Sequence, residues 1–343
     1  MATETRITPT PPVGVIESLS QGFETVAGHA ALLILPLLLD LLLWAGPRVS
    51  FAPVINGFIR DYHETITSVV EKPDPQFESQ WQIASGQLSQ MLGGSYAQYF
   101  PLIGVPSVFA GREASPLPFH YVPPLWIVRS VMSWFGIRFV ALLLGLLTGT
   151  IYVILIGQQV FDGQIRIGHL LARLPLVAIQ IGILSILLVV LLMVIMAPFV
   201  LLAIGTTLIS PNLAEAVLLI GQLVGLWASM FGIFTIHGML MNRRNLFGAL
   251  WDSIRVVQWN MSSTLLLMLA VVLISMAMGF IWSLTNTGSW ISILAVAGNA
   301  FASTGLVTAT FIFYKDRYRY WREMREALLA ELQRRRAQNR TQL

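Results

Sequence analysis

The chain has 343 residues, of which 55% are hydrophobic and 11% are charged, and its mean hydropathy is +0.71. Average soluble domains carry about 25% charged residues, so this composition excludes a soluble protein with a single apolar core. Cysteine is absent, which excludes disulfides, thiolate nucleophiles and thiolate metal sites. The sequence therefore predicts an integral membrane protein.

Six stretches are long and apolar enough for membrane-spanning helices, which need roughly 17 to 25 residues. They lie at about residues 28–46, 137–159, 176–202, 214–238, 263–284 and 289–314. Pro36 lies in the first stretch and Pro198 in the third, and a proline inside a bundle kinks a helix without ending the span. We therefore predict an all-α, polytopic integral membrane bundle of about six transmembrane helices, with a hairpin turn at "LTNTG" between the last two.

Lysine and arginine are concentrated in segments that a six-span order places on one side of the membrane. The segment after residue 314 is the most basic, and the second and fourth connections contribute Arg166, Arg173, Arg243, Arg244 and Arg255. The connections "ISPNLAE" and "LTNTG" on the opposite side contain neither lysine nor arginine. Because cytoplasmic loops are enriched in these residues, we predict a multi-pass protein of the cell membrane with both termini in the cytoplasm.

The first external connection, residues 47–136, is too long for a turn and predicts a small helical extracytoplasmic cap. Apolar residues recur at helical spacing in "FAPVINGFIRDYHETITSVVEK" and again in "FESQWQIASGQLSQML", which predicts two amphipathic helices. The remaining divisions are 1–46, with an interfacial segment and the first transmembrane helix; 137–314, the rest of the bundle; and 315–343, a basic cytoplasmic amphipathic helix.

Three approaches to the membrane share a pattern in which an amphipathic stretch leads into an apolar helix. They begin at "IESLSQGFETVAGHAALL", "GQIRIGHLLARLPLVAIQ" and "LFGALWDSIRVVQWNMSS". The pattern indicates a triplicated unit of one in-plane segment and two membrane helices. The alternative is that any interfacial helix that precedes a membrane helix has this pattern.

Two segments in the last third, "ALWDSIRVVQWN" and "GNAFASTGLVTATFIFYKDR", carry a resemblance to a known group. In them the chain resembles uncharacterised bacterial polytopic membrane proteins, and is similar in style to the membrane domain fused to some glycerophosphodiester phosphodiesterases. The resemblance includes no catalytic motif, and the chain departs from it in its large external cap and its lack of a phosphodiesterase domain. It implies a style of helical membrane fold and no activity.

One carboxylate, Asp40, interrupts the apolar run "LLILPLLLDLLLW". It lies one helical turn before Trp44, an interface aromatic, so we place it in the outer part of the first span. The second span enters from the same side with Arg138 among its first residues, and Arg48 lies two turns beyond Asp40. Since pairing offsets the cost of a charge in lipid, we predict an ion pair between Asp40 and Arg138, with Arg48 as the alternative partner. A proton- or substrate-coupled role for Asp40 is the functional alternative.

Few other polar residues fall in or near the predicted spans. Gln180 and Gln222 lie in the third and fourth spans, where amides usually bond to a neighbouring helix, and we predict polar bundle contacts for these two residues and for His237. The histidines His29, His169 and His237 all fall near the cytoplasmic ends of helices. They indicate either a shared proton relay or metal site, or separate histidines that cap helix ends.

Motifs for enzymatic chemistry are absent from the sequence: it has no phosphate loop, dinucleotide fingerprint, HExxH or GxSxG. The polar run "DYHE" offers no metal site, because on a helix His63 leaves the face that Asp61 and Glu64 share. We therefore predict a non-enzymatic membrane protein without cofactor, metal or catalytic residues, which organises lipid or partner proteins. The alternative is a transporter or channel subunit for a small or hydrophobic substrate.

The expected partners are membrane lipids. Arginines mixed with Tyr318, Tyr320 and Trp321 in the tail could indicate RNA binding. A basic segment directly after a membrane helix indicates anionic lipid instead, so we expect anionic lipid at the tail and no nucleic acid. Other membrane proteins or a second copy of the chain are further candidate partners.

Overall fold

The computed structural model of the chain describes residues 11–69, 75–93, 105–108, 118, 121–207, 210–284 and 289–341. In these residues the fold is all-α apart from two strands of three residues, which confirms the predicted fold class. The helices are α1 (Val15–Gly28), α2 (Ile34–Ala45, after a 3-10 turn Ala30–Leu33), α3 (Ala52–Val69), α4 (Pro75–Gly93), α5 (Val131–Asp162), α6 (Ile167–Thr207), α7 (Pro211–Met230), α8 (Thr235–Asn242), α9 (Leu246–Trp259), α10 (Met261–Ser283) and α11 (Ile291–Thr341).

Five of the described helical stretches are long and apolar enough to cross a membrane, and a bent pair brings the number to six. The pair is Val15–Gly28 with Ala30–Ala45, between which the chain bends by 93°. The bend lies at the start of the predicted first span, so α2 has 12 residues. A helix of that length extends about 18 Å, less than the roughly 30 Å of a hydrocarbon core.

The chain divides into two compact units. The terminal unit consists of Met1–His29, Val153–Ile274 and Gly305–Leu343, and the cap unit consists of Ala30–Tyr152 and Ser275–Thr304. The helices α5, α10 and α11 contribute residues to both units.

Close packing of α1 on α11 builds part of the terminal unit. The buried residues of α1 recur every three or four positions, as expected for one helix face. A Cβ atom on Gly22 would lie 2.6 Å from the carbonyl oxygen of Gly305, and one on Gly305 would lie 2.5 Å from the Phe23 ring. Glycine at both positions is therefore required for the backbones of the two helices to come this close.

The pair α6 and α7 forms a helical hairpin in the same unit, with glycines of α7 opposite large side chains of α6. Added Cβ atoms on Gly221 and Gly225 would lie 2.7 Å from Phe199 and 3.2 Å from Leu192. The predicted third span, 176–202, is longer in the structure: α6 runs continuously through Pro175 and Pro198. Only 6% of its most apolar window is buried within the protein.

The cap unit contains a small parallel sheet that the sequence analysis did not predict. Strand β1 (Arg48–Ser50) pairs with β2 (Leu125–Ile127), with Arg48 opposite Leu125 and Ser50 opposite Ile127. Behind β1, Val49 and Phe51 pack with Val54 and Val128. The two predicted cap helices are confirmed as α3 and α4, and they are joined by hydrogen bonds from Ser89 Oγ to Asn56 Oδ1 and between His63 and Glu78.

The last span and the basic tail form one helix. α11 runs from Ile291 to Thr341, so the segment predicted as a separate basic amphipathic helix continues the preceding helix without a break. Its Leu328, Leu329 and Leu332 are exposed. Of the predicted turn "LTNTG", residues 285–288 lie outside the described residues.

Candidate functional site

A buried polar cluster lies in the terminal unit, where the predicted fourth span is interrupted. α7 ends at Met230 and α8 begins at Thr235, which leaves main-chain groups between them without helical partners. Ser253 of α9 satisfies two of them: its Oγ donates to the carbonyl of Phe231 at 2.7 Å and accepts from the N–H of Phe234 at 3.1 Å. Ser253 is fully buried, so α9 is fixed against the interruption.

His237 lies on α8, buried against α11. Its Nε2 is 2.9 Å from the hydroxyl of Thr310, and that hydroxyl donates to the carbonyl of Val307. Thr310 therefore accepts the bond, and the proton of the imidazole is on Nε2. Within the described part of the chain Nδ1 has no hydrogen-bond partner, and the ring packs against Phe311 with 4.0 Å between centroids. His237 thus joins α8 to α11 through a hydrogen bond and a ring contact.

Asp252, one residue before Ser253, is a carboxylate whose side chain is 2% exposed. Its Oδ2 lies 3.1 Å from Nε of Arg244. Burial raises the pKa of Asp252, while the charges of Arg244 and Arg255 and a hydrogen bond from Tyr318 act in the opposite direction. Asp252 was not among the predicted site residues, although its spacing from Ala249 and Val256 places it on the apolar face of α9.

Aromatic side chains of α11 continue the cluster toward the tail. Tyr318 stacks on Tyr314 with 5.6 Å between ring centroids and contacts Trp321 at 5.7 Å. The Arg255 guanidinium of α9 lies 5.8 Å from the centroid of Trp321, and that of Arg325 lies 5.7 Å from it. Trp321 therefore packs against two arginines of its own chain as cation–π contacts.

Cations at the start of the tail bond to main-chain carbonyls of other segments. Arg317 Nη1 donates to the carbonyl of Val13 at 3.0 Å, and its guanidinium lies 3.7 Å from the centroid of Phe313. Lys315 Nζ donates to the carbonyl of Val160 at 2.6 Å. These bonds tie α11 to the segment before α1 and to the end of α5.

The other two histidines near helix ends have different surroundings. His29 Nδ1 lies 3.0 Å from the carbonyl of Thr25, and its Nε2 lies 3.0 Å from Nε2 of Gln159. His169 lines a small polar cavity at the start of α6. Among the described residues no group of three or more His, Cys, Asp or Glu could hold a metal ion.

Asp40 is fully buried in α2 of the cap unit. Its Oδ1 accepts hydrogen bonds from the hydroxyl of Ser107 and, at 2.9 Å, from the N–H of Val108. Both donors belong to the described segment 105–108 of the external connection. The carboxylate therefore holds this segment against α2.

Arg138, the predicted partner of Asp40, lies on α5 among aromatic rings of the cap unit. Its guanidinium carbon is 4.6 Å from the centroid of Trp134 and 5.2 Å from that of Phe51. Arg48, the alternative partner, is in β1, where its N–H donates to the carbonyl of Pro124. The ion pair between Asp40 and Arg138 stays a prediction.

The two glutamines predicted to make bundle contacts differ in burial. Gln180 of α6 is half-buried and Gln222 of α7 is exposed. The hydrogen bond of His237 is made with Thr310 and not with either glutamine. Their predicted interhelical bonds stay predictions.

An open groove of about 440 Å³ lies between α3 and α4 of the cap unit. Its walls include His63, Trp81 and Ser89, with His63 Nε2 3.1 Å from Glu78 Oε1. Trp81 stacks on Tyr62 at 5.7 Å. These contacts join the two helices of the hairpin.

Comparison of the chain with protein-family models, with curated proteins and with solved structures found no match.

Proposed function

We propose that this chain is a non-enzymatic, multi-pass protein of the cell membrane that organises anionic phospholipid at its cytoplasmic side, where both termini lie. The observation that carries the proposal is the exposure of its most apolar helices. In α6 and α10 only 6% and 11% of the most apolar window is buried within the protein. Such helices present long hydrocarbon-compatible faces.

The charges of the protein support the same proposal. Asp252 forms an ion pair with Arg244, and Lys315 and Arg317 donate hydrogen bonds to main-chain carbonyls. These groups therefore stabilise the fold. Other arginines, among them Arg166, Arg173 and Arg243, belong to the connections that the positive-inside rule assigns to the cytoplasm. An arginine close to the membrane surface attracts anionic lipid headgroups by about 1 kcal/mol.

Lipid analysis of the intact protein tests the proposal. The full chain is extracted in native nanodiscs with a styrene–maleic acid copolymer, and the lipids in the discs are compared with those of the bulk membrane by mass spectrometry. We expect anionic phospholipid to be enriched at low salt and less so at high salt, because salt screens exposed charges. Discs with the bulk composition at both salt concentrations would contradict it.

A transporter or channel subunit for a small or hydrophobic substrate is the second candidate, and one specific observation favours it. The first membrane segment is bent between α1 and α2, and α2 carries the buried Asp40. Interrupted helices and intramembrane carboxylates are typical of transporters. Proton flux into proteoliposomes, followed with a pH-sensitive dye, should then depend on Asp40 and be lost in Asp40→Asn. Equal flux through both proteins and empty vesicles counts against this candidate.

A further inference from the structure

A small polar cavity lies in the terminal unit between the end of α5, the start of α6 and the end of α8. Its volume is about 50 Å³, which is room for a few waters at roughly 15 Å³ each, or for one tetrahedral oxyanion. The polar side chains that line it are Gln158, Asp162, His169, Arg173 and Arg243. Gln158 is held in place by the turn after α5, because its Oε1 accepts from the N–H of Arg166 at 2.9 Å.

The cavity has an excess of positive charge. Arg173 is half-buried, and the charge of Arg243 acts on it unfavourably while that of Asp162 acts favourably. Within the described residues neither Arg173 nor Arg243 has a carboxylate within 4 Å. Two cations and one carboxylate line the cavity, so its net charge is positive, which favours a bound anion.

Arg243 is held at the cavity by an uncommon backbone conformation. It follows α8 with φ 51° and ψ 31°, in the left-handed region that residues other than glycine rarely adopt. No other described non-glycine residue has a positive φ. The next residue, Arg244, forms an ion pair with Asp252. Of these two adjacent arginines, Arg243 is therefore the one that lines the cavity.

The surface of α6 beyond the cavity is apolar. Leu176 lies three residues, almost one turn, after Arg173 and is 62% exposed, and Ile179 and Ile183 continue the stripe at 60% and 44%. Their spacing of three and four residues places them on one helix face. A ligand with a charged group in the cavity would have hydrocarbon-compatible surface beside it.

We propose that the cavity binds the phosphate group of one anionic phospholipid, with Arg173 and Arg243 on the phosphate oxygens and an acyl chain along Leu176, Ile179 and Ile183. The guanidinium group suits this ligand because its N–H groups match phosphate oxygens in pairs. The inference rests on the proposed lipid-organising function and assigns it a discrete site, distinct from the basic tail.

Binding by the full-length protein in detergent tests the site. The probes are phosphatidylglycerol, phosphatidylcholine and inorganic phosphate, and bound lipid is counted by native mass spectrometry. Wild-type protein should retain one phosphatidylglycerol in preference to phosphatidylcholine. Arg173→Gln combined with Arg243→Gln should weaken this binding by about tenfold or more, while the matched control Arg129→Gln, at an exposed position of the external connection, should leave it unchanged.

Three further arms separate the outcomes. If wild-type protein shows no preference for phosphatidylglycerol, the lipid-organising function fails and the site with it. If the preference persists in the cavity variant but is lost in Arg334→Gln/Arg335→Gln/Arg336→Gln, the function stands and the site is wrong. Binding of inorganic phosphate as tight as that of the lipid would overturn the phospholipid as ligand. Should the cavity variant fold poorly, Arg173→Lys with Arg243→Lys keeps the charge and should still weaken binding, since lysine lacks the paired donors.

Discussion

The main-chain N–H of Val108 donates a hydrogen bond to Asp40 Oδ1 at 2.9 Å, across 68 positions of the chain. The hydroxyl of Ser107 donates to the same oxygen. A carboxylate inside an apolar helix therefore organises a segment of the external connection, and its role as acceptor accounts for its place in the leucine-rich run.

Replacement of Asp40 by alanine should destabilise the protein by about 2 kcal/mol, because the hydroxyl of Ser107 and the N–H of Val108 lose the acceptor that they share. Unfolding by SDS in mixed micelles measures the change. Asp61→Ala is the matched control, because the Asp61 side chain is 70% exposed. Equal stability of the two variants would remove the anchoring role.

The predicted pair of Asp40 with Arg138 is tested by a double-mutant cycle. Asp40→Asn and Arg138→Gln should be non-additive by about 0.5 to 3 kcal/mol if the two side chains interact. The same SDS unfolding assay applies to both single variants and to the double variant. Additive effects would show that the carboxylate and the guanidinium act independently.

Gly22→Ala should destabilise the terminal unit by about 1 to 3 kcal/mol, because the new methyl group would overlap the Gly305 carbonyl and Ala309. Gly28→Ala is the control on the same helix, since a Cβ there meets nothing within 4 Å. Alanine's higher helix propensity should make that variant neutral or slightly more stable. Thermal unfolding in detergent should separate the two variants, and equal melting temperatures would contradict the close approach of α1 and α11.

Asp252 predicts a pH dependence of stability. Its pKa is raised by burial, so the folded state favours the protonated acid relative to the unfolded chain. The stability that this provides is complete below the ordinary aspartate pKa of about 4 and is lost as the pH rises through the raised value. Melting temperatures from pH 4 to 7 should therefore fall for wild-type protein relative to Asp252→Asn. A rise instead would mean that the ion pair with Arg244 outweighs burial.

The proposed orientation is tested with an impermeant thiol reagent, which the absence of native cysteine makes straightforward. Single cysteines at positions 79 and 289 should react in intact cells, because both positions are assigned to the outer side. A cysteine at position 338 should react only after the cells are lysed. Labelling at 338 but not at 79 in intact cells would reverse the topology.

The membrane spans could be predicted because a window of about 20 apolar residues is a local property of the sequence. The fifth span, predicted at 263–284, is observed as Met261–Ser283. Boundaries that depend on neighbours were harder to predict: the bend after α1 has no proline, and α6 continues through Pro175. The three segments predicted as a repeated unit also differ in structure. The first and third each form two separate helices, α1 with α2 and α9 with α10, whereas the second forms one continuous helix, α6.

The polar cluster could be predicted only in part, because its bonds join residues distant in sequence. His237 was identified as a polar residue at a helix end, but its partner Thr310 is 73 positions away. The role of Ser253 depends on the interruption between α7 and α8, where the sequence "FGIF" contains no proline, asparagine or aspartate to predict a turn. The strands β1 and β2 have three residues each, too few for a periodic pattern to show.

The contact between Gly22 and Gly305 has a consequence for the order of assembly. Its two halves are 283 positions apart (305 − 22), so at roughly 5 to 20 residues per second a ribosome needs about 15 to 60 s to supply the partner of the first helix. Until then α1 cannot make its close contact with α11. The close contact between α1 and α11 is thus a late step of assembly, and a chain truncated before residue 305 lacks it.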